Sequence, residues 1–255
     1  MSVWGKVLGA GAGFALGGPL GALVGAAAGH YIAKFRANAL SAEQGGRPSS
    51  VGHESQQARQ VIFATALVVL AAKLAKADGV VSREEIEKFK TIFNIPDSEI
   101  KAVGAIFDQA KETAGGFEPY AEQVGQLFQS TPAVLENLIG SLFEIAKSDG
   151  WVHDAEFQYI ERVAQICGLD SKTFARVSEH YIHEDSDRDP YNVLGIAADT
   201  SNLEVKARYR ELAVQNHPDK LIASGMPDEL VQKATEKLAV INSAYEKVCA
   251  QRNIK

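Results

Sequence analysis

Two groups of residues in this chain have types and spacing that can do chemistry. The first is the run His217-Pro218-Asp219. Its proline fixes the backbone, its imidazole can pack and hydrogen-bond to hold a loop, and its aspartate presents a carboxylate able to make charge-assisted bonds. The second group comes from an internal repeat. Ala75-Lys76-Ala77-Asp78-Gly79-Val80-Val81 recurs 71 residues later as Ala146-Lys147-Ser148-Asp149-Gly150-Trp151-Val152, and each aspartate is followed seven residues on by a glutamate, Glu85 or Glu156. Asp78, Glu85, Asp149 and Glu156 can be read in two ways. As hard oxygen ligands they can form a paired divalent-metal site. Alternatively, Gly79 and Gly150 end helices in left-handed geometry, and Ser82 with Glu85 makes a capping box for the next helix. The repeat lacks the dense oxygen spacing of an EF-hand loop. His153, His180 and His183 form no zinc pattern. With no GxSxG, P-loop or HExxH motif, neither an enzyme nor a cofactor is expected.

The elements that must position these groups read as helices throughout, an all-α chain. Val205, Tyr209, Leu212 and Ala213 before the tripeptide, and Leu230, Ala234, Leu238, Ile241, Tyr245 and Val248 after it, step by three or four residues. Each set marks one helical stripe, and two facing stripes make an antiparallel hairpin over Leu203 to Val248. Pro218 stops the first of these helices. Lys206 and Arg210 are four apart and share a face pointing away from the apolar stripe. In the middle of the chain, Gln56 to Ala77 predicts a long, mostly buried central helix. Further helices are expected near 83–94, 97–113, 117–129, 132–147, 154–167 and 172–181, with Trp151 and Phe157 in the core. Cys167 and Cys249 lie far apart in helical patterns, which fits buried free thiols in a reducing compartment.

Net charge is −6, unevenly spread. Residues 55–189 carry 13 basic and 22 acidic side chains. An acidic middle argues against nucleic acid as a partner. The N-terminus is different again. Val7 to Gly29 holds 23 residues without a charge; as a helix it is about 35 Å long, enough to cross a bilayer core of about 30 Å. Glycine falls at 5, 9, 13, 17, 21, 25 and 29. Overlapping GxxxG lets helix backbones approach closely in lipid, so Gly9, Gly13, Gly17, Gly21 and Gly25 are expected to form a membrane and dimerisation face. Four residues advance the helix by about 400°, so the stripe drifts and a partner can follow only part of it. Lys6 precedes the span and Lys34, Arg36 and Arg47 follow it, which places the C-terminal portion on the cytoplasmic side.

The residues around the tripeptide resemble the J domain of DnaJ-type co-chaperones. Tyr191-Asn192-Val193-Leu194-Gly195 stands for its first short helix, Glu204 to Ala213 for the second, His217-Pro218-Asp219-Lys220 for the loop, and Ile241-Asn242-Ser243-Ala244-Tyr245-Glu246 for the late third helix. The duplicated middle resembles the TerB-like domain of tellurite-resistance proteins. With Trp4-Gly5-Lys6 and the Gly-rich span in front, the whole chain is similar to the DjlA-type family of membrane-anchored DnaJ-like co-chaperones. That resemblance implies a single-pass protein of the bacterial inner membrane, with a short periplasmic N-terminus. Its parts would be an anchor at 1–36, a linker at 37–54, a TerB-like helical domain at 55–181, a linker at 182–189 and a J domain at 190–255. It also implies that Lys206, Tyr209, Arg210, His217, Pro218 and Asp219 recruit a DnaK-type ATP-dependent chaperone and stimulate its hydrolysis. Glu211 stands where many J domains carry another base, which predicts weaker or more selective docking. The alternative expectation is a TerB-like metal-binding stress module with the J domain accessory.

Overall fold

The computed structural model describes residues 3–4, 18–22, 51–75, 89–112, 116–182 and 189–254, and every regular element among them is helical. The organising element is α1, Val51–Leu74. From Val61 to Ala72 it is apolar but for Thr65, and all of these side chains are buried. Thr65 turns its hydroxyl back onto the Val61 carbonyl at 2.8 Å, so the one polar group is satisfied within the helix. A helix apolar on every face belongs in a core. Helices α2 (Ile100–Glu112), α3 (Glu118–Phe128) and α4 (Pro132–Ala146) pack around it. Helix α5 (Asp154–Ile166) is tied to it by the Tyr159 hydroxyl, which donates to the Leu70 carbonyl at 2.9 Å. Helix α6 (Ser171–Ile182) lies on α4. On α3, Gly125 lets the backbone of Cys167 approach so closely that an added Cβ would sit 2.8 Å from its Cα.

The C-terminal module comprises α7 (Pro190–Leu194), α8 (Asn202–Gln215), α9 (Pro218–Ala223) and α10 (Val231–Arg252). Its helix starts are capped as the sequence invites. The Tyr191 N–H donates to Asp189 at 2.9 Å, and Ser201 and Glu204 exchange bonds in a capping box. At the far end Arg252 lies over the Tyr191 ring and donates to its hydroxyl at 3.0 Å, closing α10 onto α7.

The hairpin stripe divides between two cores. Val193, Leu194, Val205, Leu212, Ile241, Ala244 and Val248 form the small core of the module itself. Leu221, Met226, Leu230 and Ala234 are instead buried in the large core with α1 to α6. The expectation that Leu230 and Ala234 face the first hairpin helix is therefore corrected: periodicity identifies the buried face of a helix and not its neighbour. A charged cluster joins the two parts beside this seam. Glu136 on α4 is buried and accepts from Arg176 on α6 and, at 2.8 Å, from Lys237 on α10. Lys233 lies 3.1 Å from Glu144 one turn along.

Of the N-terminal segment, Val3, Trp4 and Gly18–Ala22 are described. The Trp4 indole N–H donates to the Phe93 carbonyl at 2.9 Å, and the Leu20 N–H donates to Gln123 at 3.0 Å. Gly21 is buried; Gly9, Gly13, Gly17 and Gly25 lie outside the described residues. No helix among the described residues is long and apolar enough to cross a membrane, and most of the expected span at 7–29 falls outside them. Trp151, expected in the core, is 77% exposed, because the turn after Gly150 carries it outward; Phe157 is packed as expected, against Phe143 and Phe174. Cys167 is buried and Cys249 only half-buried.

Candidate docking surface around His217-Pro218-Asp219

Helix α8 ends at Asn216, whose side chain donates back to the Leu212 carbonyl at 2.9 Å. Pro218 then does more than stop that helix. It stands in the first turn of α9, where a missing N–H costs nothing, and His217 is the N-cap. The Asp219 N–H donates to His217 Nδ1 at 3.2 Å, so the imidazole holds the loop by satisfying a helix-start donor. The sequence predicts a loop here and misses this helical turn, for which the signal was His-Pro-Asp as N-cap, N1 and an acid in the first turn. The side chains stay available: His217 is 57% exposed and Asp219 88%.

Along α8, Arg210 is exposed and Lys206 half-buried. Val214 follows them at the same spacing, 59% exposed, so one face leads from Lys206 through Arg210 and Val214 to His217. Tyr209 is on the other side of the helix. Its ring stacks on Tyr245 with centroids 3.9 Å apart, and its hydroxyl donates to Asn242 at 3.2 Å, holding α8 against α10. Glu211 accepts from Arg208 at 2.7 Å and from Gln215 at 3.1 Å. Its charge is thereby partly spent within α8, which softens its effect on the basic face.

Of the second candidate group, only the Glu156 side chain lies among the described residues. Asp78 and Glu85 lie outside them, as does the Asp149 side chain. Glu156 is buried and accepts from the His153 N–H at 2.9 Å as part of a capping box. Gly150 ends the 3-10 turn Lys147–Asp149 at φ +104°, the left-handed geometry that glycine adopts without strain. Among the described residues no cluster of three metal-ligating side chains occurs.

Comparison with known proteins fits this anatomy part by part. Residues 1–46 match the co-chaperone DjlA transmembrane domain, residues 64–179 the tellurite resistance protein TerB, and residues 189–254 the DnaJ domain. The co-chaperone protein DjlA of Vibrio cholerae is 31% identical over the full length of both chains. The chain belongs to the DjlA co-chaperone family. The DjlA co-chaperone of Coxiella burnetii is 29% identical, covering 98% of each chain, and that of Photobacterium profundum 28% identical, covering 99% of this chain and all of the relative. No solved structure matches. In this DjlA-family chain the all-α architecture and the order of a TerB part followed by a J domain are as the sequence predicts. What sequence reasoning did not find are the groups on the TerB side that touch the J domain: Gln56, Gln60, Glu136 and Arg176. Gln56 and Gln60 are spaced four apart on α1, and Glu136 interrupts the apolar run of α4; both were visible oddities without a visible partner.

Proposed function

We propose that this J-domain co-chaperone recruits a DnaK-type ATPase through His217, Pro218, Asp219, Lys206 and Arg210 and stimulates its ATP hydrolysis. The observation that carries the reading is the exposure of His217 and Asp219 at the tip of a hairpin whose α8 face is basic. Complementary charge on that face speeds encounter and sets orientation more than it adds affinity. Asp219 then offers a carboxylate for charge-assisted bonds with a partner arginine. No bond is made or broken by this chain; docking shifts the partner's conformational equilibrium toward the hydrolysing state. Tyr209 supports the surface from behind by fixing α8 to α10. The Gly-rich N-terminus serves as the membrane anchor, with the short end periplasmic and the remainder cytoplasmic, an arrangement in which Trp4 and Leu20 leave the contacts they make here with Phe93 and Gln123, and Gly9 to Gly25 serve a homodimer. The test is the steady-state ATPase of a DnaK-type chaperone with the full chain and with His217→Gln. Stimulation by wild type and at least tenfold less by the variant (about 1.4 kcal/mol) is expected; equal stimulation by both refutes the assignment. Sedimentation with membranes, lost when 1–36 is removed, checks the anchor.

A further inference from the structure

The carbonyl end of α9 and the turn after it are held by the TerB-like domain as well as by α8 and α10. Gln56 on α1 donates through Nε2 to the Ile222 carbonyl at 3.0 Å, and Gln60, one turn on, donates to the Met226 carbonyl at 3.3 Å. Gln60 is buried, so its amide is committed to this contact. Between them Arg59 closes against Gly225. That glycine sits at φ +105°, and an added Cβ would lie 2.5 Å from the Arg59 Cβ, so the turn is shaped to the surface of α1. Arg59 is itself fixed, its guanidinium 5.3 Å over the Phe128 ring and donating to the Leu127 carbonyl. Leu221 and Met226, on either side of this turn, are each 1% exposed within the large core. The same short helix thus presents Asp219 to solvent and Leu221 to the TerB-like domain. His217 and Asp219 are displayed, not covered, by the packing.

We propose that Gln56, Arg59 and Gln60 are positioning residues for the His217-Pro218-Asp219 loop, so that the TerB-like domain pre-forms the surface that engages the ATPase. This rests on the docking reading above and adds the domain that sets the loop's geometry. A loop held in its docking shape before encounter spares the ordering cost on binding. Loosening it weakens engagement while leaving His217 and Asp219, the groups that trigger hydrolysis, in place.

The test uses the full chain with Gln56→Met and Gln60→Met combined, substitutions that keep volume and remove the two donors. Hydrogen exchange at the amides of 219–226 is compared with that of 205–212 in the same molecule. Chaperone ATPase is titrated for the half-maximal concentration and the maximum separately. Faster exchange confined to 219–226 is expected. With it goes a rise of about fivefold in the half-maximal concentration, from two lost hydrogen bonds, at an unchanged maximum. Unchanged exchange overturns the proposal. So does faster exchange with an unchanged titration, which leaves the glutamines a structural role only. Stronger stimulation also overturns it, because the contact would then restrain the J domain. Single Gln60→Met, read in the same two ways, guards against a folding defect in the double variant. Equal stimulation by wild type and His217→Gln refutes the docking reading itself, whereas the exchange comparison by itself decides whether α1 holds the loop.

Discussion

Glu136 is the side chain on which the joint between the two domains depends most. It is buried, and burial alone would push its carboxyl upward. Lys237 and Arg176 outweigh that, by charge and by hydrogen bonds, and hold it at about 2 against an ordinary 4.5. The difference corresponds to about 3 kcal/mol of stability. Because the folded value is the lower one, that contribution is complete above about pH 4.5 and drains away as pH falls toward 2. Replacing Glu136 by Gln leaves the buried Arg176 and the half-buried Lys237 facing each other without a counter-charge, and stability should fall by about 3 kcal/mol. Lys237→Met is a different matter. The ammonium is shifted down by burial first and by Arg176 next, with Glu136 opposing, so the cation is costly where it stands. Its removal leaves the Arg176–Glu136 pair and fills the site with apolar volume, for a net change of about 1 kcal/mol or less. Urea unfolding of the full chain at pH 7, followed by far-ultraviolet circular dichroism, measures both. Equal losses for the two variants, or a loss under 1 kcal/mol for Glu136→Gln, would refute the ordering of burial and charge used here.

Two further outcomes follow from single positions. Gly104, in the interior of α2, has nothing within 4 Å of where a Cβ would stand; Gly104→Ala should stabilise by about 0.5–1 kcal/mol and raise the calorimetric midpoint. Burial pushes the Cys167 thiol up to about 12; at pH 8 iodoacetamide should leave it unmodified in the native chain and label it after unfolding, a difference read by mass spectrometry.

The helices were legible because their signals are local. The expected central helix, Gln56 to Ala77, is observed at Val51–Leu74, and 132–147 at Pro132–Ala146. The tripeptide was legible as a loop because proline punctuates. Its helical turn was not, since six residues carry too little periodicity to register against a proline reading. The joint between domains was illegible for another reason. Lys237 and Glu136 are 101 residues apart, and a lysine on a helix reads as solvated unless something shows that its neighbours are acidic and dry. Leu230 and Ala234 fitted the hairpin stripe and belong to the other core.

That misassignment has a physical consequence for how such a module is built. The J domain's own core holds seven buried residues, and of these only Leu212 lies in the last turn of α8 before the loop. At the loop end, the apolar residues that would complete a free-standing hairpin are directed into α1 and its neighbours. The end of the hairpin with the exposed His217 and Asp219 therefore has little core of its own beyond Leu212 and leans on the large core through Leu221, Met226, Leu230 and Ala234. Local stability follows the density of buried contacts, so the tip is as firm as its seat on the TerB-like domain. A domain placed between an anchor and a J module then acts through geometry even if it binds nothing: it fixes the direction in which the basic face of α8 looks and the shape of the loop that follows it.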